Sequence, residues 1–239
     1  MQFPAPLIEG RLVRRYKRFL ADVALADGTV VTAHCPNPGA MTGLDMPDLP
    51  VFLARSDDPK RKLAYTLEVV RLDSGHVGIH TGRPNALVAE AIAAGRIPEL
   101  AGYATVRREV KYGKASRIDL LLDGRPDDPR PCYVEVKNVH LRRPEGAFPT
   151  AAEFPDSVTA RGAKHLAELS AMVASGARAV MAYCIQREDC DHFRVAGDID
   201  PTYMTALAAA VEAGVETLAH ACRVSPEGIS VEKPVPVVL

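Results

Sequence analysis

Asp119, Glu135 and Lys137 are the residues of this 239-residue chain whose types and spacing could do chemistry. They interrupt two apolar, β-branched runs in RIDLLLDGRPDDPRPCYVEVKNV, residues 117–139, which otherwise read as a hairpin around a proline-rich turn. Charges in strands that look like core are costly unless something pairs with them. The midpoint of positions 119 and 135 is 127, inside the turn at 123–131, so an antiparallel register predicts opposed carboxylates on one face. Lys137 lies two residues past Glu135 and is predicted on that face as well. Like charges directly opposed destabilise a strand pair. A divalent cation, Mg²⁺ or Mn²⁺, removes the difficulty, because it takes one or two carboxylates, keeps several waters and accepts phosphate oxygens. The lysine would supply a point charge for a phosphate or an attacking water. The competing reading is a solvated strand face whose acids touch cations such as Arg117.

The elements that must position these groups follow from pattern. PNALVAEAIAAGRI reads as a helix opening at Pro84 and Asn85 with Gly95 near its end. ATVRREVKY, SRIDLLL and CYVEVKNV read as strands, DSVTARGAKHLAELSAMVAS as a helix capped by Asp156 or Ser157, and ARAVMAYCIQ as a strand. DPTYMTALAAAVEAG adds a helix, and ETLAHACRV with GISVEKPVPVVL a closing hairpin. Residues 83–239 thus run α-β-β-β-α-β with additions. Residues 1–82 read instead as short strands, among them RYKRFLADVAL and TVVTAHC around Asp27-Gly28, which suggests a small barrel of the oligonucleotide-binding (OB) type. The expected fold class is α/β (α+β), a barrel domain and a sheet domain with no Ser/Gly linker, so the two should pack together.

Composition bounds the partners. The net charge of −1 gives no global attraction to nucleic acid or acidic membranes, so any such affinity must be local. Five irregularly spaced cysteines suit free thiols in a reducing compartment, and no stretch reaches the ~18 apolar residues of a spanning helix. The expected location is cytoplasmic. A local candidate is RLVRRYKRF, where Arg11, Arg14, Arg15, Lys17 and Arg18 surround Tyr16, and Lys60, Arg61 and Lys62 form a second cluster. On an OB-like barrel, cations can track a nucleic-acid backbone while aromatics stack on bases. The alternative is a charged edge strand that blocks aggregation. HCPNPGAMTG lacks the phosphate-loop signatures and reads as a turn near the domain junction.

The combination of Asp119 with Glu135-Val136-Lys137 in this element order resembles the PD-(D/E)XK nuclease superfamily, with Ile118 where a proline is frequent. Over a wider span, HCPNPGAMTGL, PKRKLAYTLE, GIHTGRPNALVAEAI, REVKYGKASRIDLLL, CYVEVKNVHL and FPDSVTARGAKHLAEL resemble the sugar fermentation stimulation protein A family. That resemblance implies an OB-like domain joined to a PD-(D/E)XK restriction-endonuclease-like domain, non-specific DNA binding and a link to sugar (maltose) metabolism. The superfamily resemblance implies a Mg²⁺-dependent phosphodiesterase in which Asp119 and Glu135 hold the metal and Lys137 orients water. In such cores a helix-borne acid can complete the metal shell. Glu90 is the candidate here, against the plainer reading of a surface glutamate. On the helix after the Glu-x-Lys strand, Gly162, Leu166, Leu169 and Val173 form an apolar stripe, with Arg161, Lys164, His165 and Glu168 on the other face. Arg161 and Lys164 could meet a scissile phosphate. The nucleic acid could be DNA or RNA, and the rival function is a non-catalytic DNA-binding regulator on an inactive nuclease-like scaffold.

Overall fold

Strands of alternating apolar residues need a partner face, and at the start of the chain they find it by closing on themselves. The protein is described by a computed structural model covering residues 1–113 and 116–239. Its β1 (Ile8–Tyr16), β2 (Leu20–Leu25), β3 (Val30–His34), β4 (Pro50–Arg55) and β5 (Tyr65–Leu72) pair in the order β3-β2-β1-β4-β5. A parallel β3–β5 contact closes the barrel, and β6 (Gly75–Gly78) adds to β5. Leu12, Val23, Leu53, Leu67 and Val70 fill the interior. The Asp27-Gly28 turn joins β2 to β3, with Gly28 at φ +83°. RYKRFLADVAL is not one strand: Lys17 (φ +49°) and Arg18 (φ +63°) turn the chain between β1 and β2. Neither is the Gly or Asn that such a turn usually carries, so pattern alone does not reveal it.

The second domain places α1 (Pro84–Ala93) before β7 (Thr105–Tyr112), β8 (Ser116–Asp123) and β9 (Cys132–Val139). After β10 (Ala151–Phe154) come α2 (Ala160–Ala174), β11 (Arg178–Ile185), β12 (His192–Val195), α3 (Pro201–Glu212), β13 (Glu216–Val224), β14 (Ile229–Pro234) and β15 (Val237–Val238). The main sheet has the order β14-β13-β11-β9-β8-β7, with β9, β11 and β13 parallel, while β10, β12 and β15 form a small parallel sheet. The order α-β-β-β-α-β is as expected, with β10 inserted.

Two apolar layers hold this sheet. Leu87, Val88 and Ala91 of α1 pack on Leu120, Leu122, Val134 and Val136. Leu166 and Leu169 of α2 pack on Ile118, Leu121 and Val139 from the other side. The α1 layer also takes in Phe52 and Val69 of the barrel, so the domains share one core and pack together as expected. Helix α2 begins later than expected: Thr159, not Asp156 or Ser157, is its N-cap, accepting the Gly162 N–H at 3.1 Å.

Candidate metal centre

The site is a slit between β8 and β9. Their ladder pairs Leu122 with Cys132, Leu121 with Tyr133 and Leu120 with Val134, the register that brings Asp119 level with Glu135. There the strands part. The Asp119 carboxylate accepts the Val136 N–H at 2.7 Å through Oδ2 and the Asn85 side-chain amide at 2.7 Å through Oδ1. The same amide reaches Glu109 Oε1 at 3.3 Å. The cause is local. Between β7 and β8, Arg108 pairs with Leu120 and Val110 with Ile118, leaving Glu109 and Asp119 outside the ladder. Glu109 sits at φ +52°, and Ile118 and Leu121, three residues apart, both face the α2-side core. The two-residue alternation therefore slips one step at this level. Glu135 belongs to the other side, under α2, where its Oε1 meets His165 Nδ1 and the Lys137 ammonium, the latter at 2.7 Å. Lys137 shares the face of Glu135 as expected, and the expected arrangement of the two carboxylates on one face is corrected. The carboxylates are level but enter the slit from the α1 side and the α2 side.

Burial, then the charge of Glu135, pushes the Asp119 carboxyl above its ordinary value; the Val136 and Asn85 hydrogen bonds offset only part. Burial also pushes Glu135 up, but the His165 hydrogen bond and the nearby Lys137 charge outweigh it, and the net shift is downward. The Tyr112 hydroxyl is pushed upward by burial and by the charges of Glu135 and Glu168. Arg161 Nε donates to His165 Nε2 at 3.2 Å, while Nδ1 faces Glu135. Among the described residues Glu135 Oε2, in a side chain only 3% exposed, has no hydrogen-bond partner, and neither do the buried Tyr112 hydroxyl and Glu168 Oε2. A buried, ionised acceptor left bare costs about 1–3 kcal/mol or more. An orphaned carboxylate oxygen beside a second carboxylate fits a hard cation. Among the described residues no three Asp, Glu, His or Cys side chains converge. A cation at the slit would therefore rest on Asp119 and Glu135 and draw its other oxygens from water or phosphate.

The remaining expected site residues divide. Arg161 is exposed on α2 and reaches the slit through His165, while Lys164 lies 3.7 Å from Glu168, which also accepts the Ser116 hydroxyl at 2.7 Å. Glu90 does not join them. Five residues after Asn85 on α1, it is turned well around the helix and pairs with the Met1 ammonium at 2.8 Å. Asn85 and Tyr112 are the site residues that pattern missed, and His165 was placed on the face of Arg161 and Lys164 without a role. The usable signal for His165 was its i+4 spacing from Arg161, but its burial under the helix was not visible.

The barrel's basic arm is largely engaged within the protein. Arg14 pairs with Asp22 at 2.8 Å and stacks over Tyr16, whose hydroxyl also binds Asp22. Arg15 donates to the carbonyls of Arg18, Asn37 and Gly39, and Arg11 to that of Asp48. Arg14, Arg15 and Tyr16 are thus held by contacts within the barrel. Lys17 and Arg18 remain exposed at the β1–β2 tip, as do Lys60, Arg61 and Lys62 between β4 and β5, with Arg61 bonded to Thr66. A cleft of about 640 Å³ between the domains is lined by Arg15, Arg18, Asn37, Asn138, His140 and Asp156. Burial lowers His140 to about 4, so it is neutral where it meets Asn138 at 2.7 Å and Asn37 at 3.2 Å. HCPNPGAMTG therefore lies at the domain junction.

The family model described as the SfsA N-terminal OB domain matches residues 13–79, and that described as the sugar fermentation stimulation protein RE domain matches residues 82–228. A sugar fermentation stimulation protein homolog of Rhodospirillum centenum is 60% identical, covering 98% of this chain and 97% of its own. One of Maricaulis maris is 57% identical, covering 100% and 99%. A solved structure described as Pyrococcus furiosus SfsA in complex with Ca²⁺ superposes with a TM-score of 0.86 at 24% identity, covering 100% of this chain and 98% of that one. At that identity the likeness speaks to fold: an OB-like barrel followed by a sheet domain. Among the described residues no helix is long and apolar enough to cross a membrane.

Proposed function

The chain belongs to the sugar fermentation stimulation protein family, and from that premise we propose a nucleic-acid-binding protein whose slit is a Mg²⁺- or Mn²⁺-dependent phosphodiesterase centre. The observation that carries this reading is the bare, buried Glu135 Oε2, on a carboxylate that is level with Asp119, acts on it by its charge and binds Lys137 through Oε1. Asp119 and Glu135 would hold the cation, which when bound would polarise a phosphoryl oxygen and acidify a water. The chain's own groups do the rest. His165 and Lys137 fix Glu135 Oε1 and so leave Oε2 free to accept a cation, and Asn85 and the Val136 N–H aim Asp119. Lys137 would supply a positive charge to orient the reacting water, and Arg161, anchored on His165, would meet developing phosphate charge. The relative of the same fold solved with Ca²⁺ is in keeping with cation binding. Free, buried cysteines suit the cytoplasm, and the relatives' shared name suits a regulatory link to sugar use.

A second reading, a non-catalytic DNA-binding regulator, is favoured by the Lys137 ammonium lying against both Glu135 and His165 and by the lack of a third converging ligand among the described residues. One experiment separates them. Purified protein is incubated with single- and double-stranded DNA and RNA and Mg²⁺ or Mn²⁺, beside Asp119→Ala and Lys137→Ala. Cleavage by the wild type, falling at least ~100-fold in both variants, is expected. Salt-sensitive binding with no cleavage under any condition would leave the regulator.

A further inference from the structure

Positive charge without a carboxylate partner gathers at the open edge of the main sheet. Strand β7 is its outermost strand, and Arg107, Arg108 and Lys111 on it, with Arg117 on β8, are exposed. Among the described residues none of the four forms an ion pair with an acid, and Arg117 donates only to the Glu109 backbone carbonyl, at 3.3 Å. The register sets Lys111 directly against Arg117. Like charges so opposed destabilise a sheet, as opposed acids do. The remedy for them is an anion.

Their side of the sheet is fixed by their neighbours. Val110 and Tyr112 pack into the α2-side core, so Lys111 and its partner Arg117 point to the α1 side. Arg108 points there too, being paired with Leu120 of the α1-side core. The three cations span about 10 Å of strand at ~3.3 Å per residue, the axial length of about three phosphates of one nucleic-acid strand. Between Arg108 and Lys111 lies the level of Asp119, which Asn85 reaches from this same side. With the chain's net charge at −1, this is a local concentration and not a consequence of composition. On the barrel arm Arg14 and Arg15 are already engaged, and the exposed Lys17 and Arg18 at the β1–β2 tip, like Lys60 and Lys62, lie on the other domain, away from Asp119.

We propose that a nucleic-acid strand runs along the α1 side of the β7 edge, its phosphates on Arg108, Lys111 and Arg117, and enters the slit at Asp119 from there. The proposal rests on the nucleic-acid reading above and adds its path. It is tested by fluorescence anisotropy with labelled single-stranded and duplex DNA of about 20 nucleotides over a salt series, where each lost phosphate contact lowers the slope by ~0.7–0.9. The variants are Arg108→Glu/Lys111→Glu/Arg117→Glu, the milder Lys111→Gln/Arg117→Gln, and Arg11→Gln/Lys60→Gln/Lys62→Gln on the barrel, each checked by its melting curve. Expected are at least ~10-fold weaker binding for the charge reversal, a slope lower by about 1–2 for the double Gln variant, and less than ~3-fold change for the barrel variant. Unchanged binding by the double Gln variant, with binding lost in the barrel variant, overturns the path while leaving the nucleic-acid reading intact. Failure of the wild type to bind DNA or RNA at low salt overturns both.

Discussion

Asp119 is hard to ionise because water cannot reach it freely and Glu135 already carries a charge nearby. An acid whose folded pKa lies above its unfolded value holds its proton longer in the native state. That stability is fully present below the ordinary value of 3.8 and is lost as pH rises through the folded value. Asp119→Asn has no such proton to lose. The melting temperature of the wild type minus that of Asp119→Asn should therefore be greatest near pH 4 and shrink toward pH 7, with added Mg²⁺ raising the wild type alone. A difference that stays flat across this range would mean the carboxyl is not strained. The residues behind this behaviour were legible to different degrees. Asp119, Glu135 and Lys137 stood out because they break an apolar pattern. Asn85 and His165 break none, since each lies on a helix where a polar residue is ordinary, and their roles arise from how that helix is turned toward the slit.

Helix α2 carries His165 and Arg161, so where it begins decides whether they reach Glu135. The stretch Asp156-Ser157-Val158-Thr159 offers three good N-caps in four residues, and local propensity does not choose among them. The choice is made from elsewhere in the chain. Asp200 caps α3 by accepting the Tyr203 N–H at 2.9 Å through one oxygen, and through the other accepts the Thr159 N–H at 2.7 Å. One buried carboxylate thus sets the start of both helices. Thr159→Ala should cost about 1 kcal/mol, an ordinary cap, whereas Asp200→Ala should cost about 2–3 kcal/mol, because it orphans two N–H groups at once. Urea denaturation of the two variants checks this, and equal losses would show that Asp200 serves α3 alone. The succession of elements along the chain, the closing hairpin around Ser225–Gly228 and the start of α3 at Asp200 were readable, since each is written in contiguous residues. The β1–β2 turn was not, because Lys17 and Arg18 take positive φ where Gly or Asn is usual, nor was the α2 start, because it depends on the distant Asp200.

Across the whole molecule, barrel and sheet are joined at the point where the site is built. Glu68 on β5 is buried and receives Arg83 in a fork, Nε to Oε2 at 2.7 Å and Nη2 to Oε1 at 2.5 Å. Arg83 immediately precedes α1, and Asn85, which aims Asp119, follows two residues later. The barrel therefore fixes the start of the helix that holds one of the two carboxylates of the slit. Arg83→Met should cost about 3–5 kcal/mol, because it leaves Glu68 charged, buried and alone. Replacing both partners, Glu68→Met/Arg83→Met, should recover most of that loss, since an apolar pair of similar volume suffers no desolvation. Because Phe52 and Val69 lie in the same core as Val134 and Val136, both variants should unfold in one transition in urea. Cation affinity should distinguish the two effects. If the ion pair matters only for stability, the double variant binds Mn²⁺ as the wild type does. If it also sets the angle of α1, affinity stays low after stability has returned, since methionines do not reproduce the geometry of the fork. Two separate unfolding transitions would instead mean that the barrel folds independently and has no hold on Asn85 at all.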